Sequence, residues 1–190
     1  MSDRHQEQPS CSVSCPAFSV VPVEIGAHAA QIRELIGELA AYEKMPSDMV
    51  PSADRIASDL AHGYCHGLVA VKKSHHLPHD DVVIGYILYY YAYSTSMMPR
   101  WIGRYMFMED IYVSKEYRRF GVGTAMWSEL AKIARNDNIA RIQWNVLNWN
   151  KTAINFYKKH GAVDTYKTDG WLTYRMNEEE IHKLADVWKH

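Results

Sequence analysis

The chain has 190 residues, enough for one domain with a real core, and its 47% hydrophobic and 23% charged residues form an ordinary globular balance. Its 21 basic and 22 acidic side chains leave a net charge of -1, which speaks against nucleic acid as the main partner. The longest apolar run, VVIGYILYYYAY at 82–93, is too short to span a bilayer.

The opening stretch, MSDRHQEQPSCSVSCPAFS, is polar and aperiodic, so residues 1–19 are expected to be a disordered tail, with order starting near Val20. No signal-peptide pattern is visible, and Cys11, Cys15 and Cys65 read as reduced thiols of a cytoplasmic protein. From Ala29 to Tyr42, Ile32, Leu35, Ile36 and Leu39 form a helical stripe, and Ser52 precedes a second short helical pattern. HGLVAVK at 66–72 reads as a strand and SHHLPHDD at 74–81 as a loop. The histidines of that loop, His75, His76 and His79, read as a solvated turn, and no metal site is expected. VVIGYILYYYAYS and GRYMFMEDIYVS are strand patterns, followed by a helix from about Thr124 to Arg135. ARIQWNVL reads as a further strand, NKTAINFYKKH as a helix ended by Gly161, and GWLTYRMN as a last strand. Residues 20–177 are thus expected to form one α/β or α+β domain, and 178–190 a charged helical tail.

The pattern RRFGVG at 118–123 places two glycines where a helix begins. Free amides there, the helix dipole and Arg118 and Arg119 together suit a phosphate group. The P-loop and dinucleotide fingerprints both fail: no Lys-Ser/Thr follows, and Met126 stands where a third glycine would be needed. A plain structural turn is the competing reading.

Arg118-x-x-Gly121-x-Gly123 after EDIYV resembles the acetyl-CoA pyrophosphate loop of the GCN5-related N-acetyltransferases. With LIGELAAYEKM, MEDIYVSKEYRRFGVG, WNKTAINFYKKHGA and DGW, the chain resembles their diamine (spermidine/spermine) and thialysine N-acetyltransferases from about Val20 to Met176. The resemblance implies a mixed central sheet flanked by helices, with a splayed cleft for acetyl-CoA. It implies backbone contacts to the co-substrate from Ile111, Tyr112 and Val113. The loop of Arg118, Arg119, Phe120, Gly121, Val122, Gly123 and Thr124, and Asn150, Lys151, Thr152 and Ala153, complete that set.

A primary amine has a pKa of about 10 and must lose a proton before it can attack. The resemblance offers Glu109 as base through water and Tyr157 as general acid to the leaving thiolate. It places Tyr42, Glu43, Trp101, Glu109, Gln143, Trp144, Asn145 and Asp169 near the amine, though Trp144 has an alternative reading as core, and Asp110 is expected to add negative potential there. Ser94-Thr95 stands where polyamine enzymes carry Asp-Pro, and Ser96 to Arg100 then intervene before Trp101, as they do not in that branch. An acidic residue is thereby lost and Arg100 gained, so thialysine-like amino acids or short diamines are expected ahead of spermine. The family implies a homodimer. Acetylation of protein lysines and non-catalytic sensing of acetyl-CoA are the alternative functions.

Overall fold

The computed structural model describes residues 17–72, 81–95, 103–170 and 172–187. The tail before residue 17, the histidine loop, Ser96 to Arg100, Trp101 and Trp171 therefore lie outside the described residues, as do residues 188–190. The chain divides into two compact units, Met1–Asn145 and Val146–His190.

The first unit is built on five strands: β1 (Phe18–Pro22), β2 (His66–Lys72), β3 (Val82–Ser94), β4 (Gly103–Val113) and β5 (Ile142–Gln143). They lie side by side in chain order, antiparallel except for β4 and β5, so the sheet is mixed. β1 was not marked by the sequence pattern, and the strand expected over 140–147 is only two residues long. Its short ladder pairs Met106 with Ile142 and Phe107 with Gln143. β4 then runs on to Val113 with no strand beside it on that side among the described residues.

Helix α1 (Ile25–Tyr42) and helix α2 (Ala53–Ala61) follow β1. Ser52 caps α2 by accepting from the Arg55 amide at 3.2 Å, as a Ser before an amphipathic run should. Ile32, Leu35 and Ile56 pack against Val69, Tyr86, Leu88 and Tyr112, so both helices cover one face of the sheet. Helix α3 (Val122–Asn136) takes the other face with Met126 and Leu130 fully buried. Gly85 makes room there: a Cβ on it would stand 2.8 Å from the Tyr112 carbonyl oxygen and 3.1 Å from Met126 Cε. Backbone cannot step aside, so β3 needs glycine at this point.

The second unit holds helix α4 (Lys151–Lys159), the short helix α5 (Thr165–Asp169) and helix α6 (Glu178–Ala185). Gly161 ends α4 with φ of 86°, the expected left-handed stop. Of the last strand expected over 170–177, the described residues 172–177 belong to no strand; alternating residues make a ladder only beside a partner strand, and none pairs with them among the described residues. No described helix is long and apolar enough to cross a membrane.

Candidate active site

The pairing of β3 with β4 slips once. Tyr90 stands opposite Phe107 and Tyr89 opposite Met108, but Leu88 stands opposite Asp110, leaving Glu109 as the extra residue of a β-bulge. Alternation puts Glu109 on the face of Phe107, and the slip keeps Asp110, opposite Leu88, on that same face. Two consecutive carboxylates thus share the α1 side of the sheet instead of pointing apart. The negative charge of Glu109 is accordingly felt by both Tyr90 and Asp110.

Asp110 accepts a hydrogen bond from the hydroxyl of fully buried Tyr86 at 3.1 Å. Burial pushes its carboxyl up to about 6; the Tyr86 hydrogen bond opposes the rise, and Glu109 and Glu43 add to it. Glu43 follows Tyr42 at the C-terminal end of α1, and burial raises its pKa as well. The last turn of α1 carries no basic residue, so a carboxylate sits at the negative end of the helix dipole. Glu43, Glu109 and Asp110 are therefore brought from two elements into one region of negative potential, suited to a cation.

A second cluster joins α1 to the end of β4. Glu38 accepts from the Tyr112 hydroxyl at 3.0 Å and from the Ser114 hydroxyl at 2.9 Å. Arg118 Nε donates to the Val113 carbonyl at 2.8 Å, and its guanidinium lies over the rings of Tyr112 and Tyr42. Ile111 and Val113 are half-buried on the other face of β4.

The glycine loop behaves as a left-handed entry to α3. Arg119 and Gly121 have φ of 68° and 83°, and Gly121 is the residue that caps α3. The first helical hydrogen bond runs from Ala125 to the Gly121 carbonyl at 2.9 Å, and among the described residues no side chain caps the helix. The amides of Val122, Gly123 and Thr124 thus precede the ladder, and left-handed residues before them turn backbone donors toward a common side. Arg119 is exposed and Phe120 half-buried beside them. Amides, the positive helix end and an exposed guanidinium are a fit donor set for a pyrophosphate.

Gln143, in β5, pairs with Phe107; Trp144 meets Trp127 of α3 edge-on at 5.0 Å, and Asn145 is exposed. Packing against α3 is the role the structure displays for Trp144.

In the second unit, Asn150 opens α4 by accepting from the Ala153 amide at 3.1 Å, and Lys151 Nζ donates to the Asn148 carbonyl at 2.8 Å. Thr152 is exposed. Tyr157 is the one buried residue of α4, with Phe156 edge-on to it at 5.7 Å. Asp169 ends α5 half-buried. Among the described residues no group of three or more His, Cys, Asp or Glu is placed to hold a metal ion.

Sequence reasoning missed Tyr86 and Glu38. Glu38 lies one turn before Tyr42 and so on its face, a signal available from spacing. Tyr86 sits in a strand buried on both faces, where alternation carries no information.

Residues 33–162 match the acetyltransferase (GNAT) family. The chain is 39% identical over 159 residues to a thialysine N-epsilon-acetyltransferase of Caenorhabditis elegans, covering 84% of this chain and 92% of that one. A protein of the same name from Mus musculus is 36% identical over 157 residues, covering 81% and 89%. An integron cassette protein from the mobile metagenome of V. cholerae superposes with a TM-score of 0.67 at 26% identity, over 90% of this chain and 98% of that one.

Proposed function

The chain belongs to the acetyltransferase (GNAT) family, and from that membership we propose that it transfers the acetyl group of acetyl-CoA to the primary amine of a small cationic substrate. A thialysine-like amino acid or a short diamine is the preferred acceptor, ahead of spermine. The names of the two relatives support the first of these. Acetyl-CoA supplies the acetyl group as a thioester.

The observation that carries the reading is the bulge in β4, which gathers Glu109 and Asp110 on one face in the field of Glu43. A desolvated acidic region attracts an ammonium group, and a carboxylate next to it can relay the proton that the amine must lose. Glu109, exposed on its strand, takes that proton through a water. Tyr157 gives its phenolic proton to the departing thiolate. The amides of Val122 to Thr124, with Arg119, receive the phosphates. Ile111, Tyr112 and Val113 offer backbone groups to the pantetheine arm, and Asn150 to Ala153 add contacts. Tyr42, Glu43, Asp110, Gln143, Asn145 and Asp169 orient the amine, as does Trp101, which lies outside the described residues. A cytoplasmic homodimer is the setting we assign to this activity, and sedimentation velocity tests its second half.

Thiol release from acetyl-CoA, followed with thialysine, lysine, putrescine, spermidine and spermine in parallel, tests the reading. Thialysine or putrescine is expected to give the highest kcat/KM. Tyr157→Phe is expected to lower kcat by about 10²-fold, the ordinary worth of a positioned acid. A panel led by spermine would overturn the substrate order, and no turnover with any amine would overturn the activity.

A further inference from the structure

Arg118 heads the Arg-x-x-Gly-x-Gly spacing, yet its side chain is committed away from the helix entrance. Its Nε–H is given to the Val113 carbonyl at 2.8 Å. Its guanidinium carbon lies 5.1 Å from the centre of the Tyr112 ring and 5.7 Å from that of Tyr42. The side chain is half-buried, which strengthens attraction between a cation and a ring face. Tyr112 is in turn fixed through its hydroxyl to Glu38, whose carboxylate also holds Ser114. Glu38 and Tyr42 stand one turn apart on α1. The last turn of α1 is thereby tied to the end of β4 at two points, one the hydroxyl hydrogen bonds to the Glu38 carboxylate and one the Arg118 guanidinium over the Tyr112 and Tyr42 rings.

A guanidinium suits this task because it is flat, permanently charged and carries a donor in its own plane. A lysine would keep the charge but lose both the plane and the Nε–H. We propose that Arg118 is a positioning residue for the amine groove, holding Tyr42 and the end of β4 in fixed relation, and not a ligand of the co-substrate's phosphates. The inference rests on reading Tyr42 as a groove residue, and it assigns the phosphate contacts of the loop to Arg119 and the α3 amides.

The test compares the parent protein with Arg118→Met, Tyr42→Leu and the double variant. The readouts are kcat, KM for thialysine and for acetyl-CoA, and calorimetric affinity for CoA. Arg118→Met is expected to raise the amine KM about tenfold while CoA affinity moves less than about threefold, since a desolvated cation–ring contact and a lost hydrogen bond have that worth. The double variant is expected to be no worse than the poorer single variant, because the two side chains act as one unit. Arg118→Lys should recover part of the loss, and it carries the same comparison if Arg118→Met does not fold. A tenfold loss of CoA affinity with the amine KM intact would overturn the inference, as would single losses that multiply in the double variant. Those outcomes require a parent protein that turns over amines; its failure to do so would sink the functional reading and this inference together.

Discussion

The entrance to α3 and the acidic face of β4 are built on opposite plans. The helix entrance is made of backbone: two left-handed residues, Arg119 and Gly121, and amides that precede the first helical bond. The acidic face is made of side chains from separate elements, Glu43 from the end of α1 and Glu109 and Asp110 from a bulged strand. A backbone site carries no ionised group of its own, so its field comes from the helix dipole and from the exposed Arg119 guanidinium beside it. A side-chain site concentrates charge that burial resists, and the raised pKa values of Glu43 and Asp110 record that resistance. The first plan suits an anion that is always charged. The second suits a cation whose own proton must leave.

If the two plans serve two substrates, they should be separable by mutation. Glu109→Gln is expected to lower kcat/KM for the amine by about 10²-fold, the scale of a lost general base, with CoA affinity unchanged by calorimetry. A variant that keeps parental activity would remove Glu109 from the chemistry. Gly121→Val forces a β-branched residue to φ of 83°, a cost of roughly 1–2 kcal/mol. CoA affinity should therefore fall about tenfold, by an effect on the loop backbone, with little change in amine KM.

The backbone plan could be read from spacing because each of its parts is local. Glycine positions, the strand before them and the helix after them lie within one short run, and α3 begins at Val122, two residues before its expected start. The strands at 66–72 and 82–94 were readable for the same reason. The acidic face was only half readable. Glu109 and Asp110 are adjacent, so ordinary alternation would point them apart, and only the register between β3 and β4 brings them together. The Tyr86 and Glu38 contacts span 24 and 74 residues of sequence and have no local mark. The two-residue β5 and the unformed strand at 172–177 teach the same lesson from the other side, since β propensity without a partner does not make a ladder.

Smaller effects sharpen the contrast through pH. Burial pushes the Asp110 carboxyl up to about 6 in the folded chain, so the attraction proposed between it and an amine would be full above that pH and fade below it. Tyr86→Phe removes a donor that favours the ionised carboxylate, and the acid limb of amine kcat/KM should move to higher pH; an unmoved limb would detach Asp110 from amine binding. The stability consequence has the opposite direction. A carboxyl with a raised folded pKa contributes stability that is present below its unfolded value near ~4 and lost as pH rises through about 6. Asp110→Asn should therefore gain on the parent over that window and level off above it, by up to about 3 kcal/mol in chemical denaturation. Smallest of all, added salt should raise the amine KM a few-fold by screening the acidic face.

CoA titrated calorimetrically into Glu109→Gln and Gly121→Val, side by side with the parent chain, tests the division of labour most directly. Parental affinity in the first and a loss of about tenfold in the second are the expected result. Equal losses in both, or a loss confined to Glu109→Gln, would contradict it.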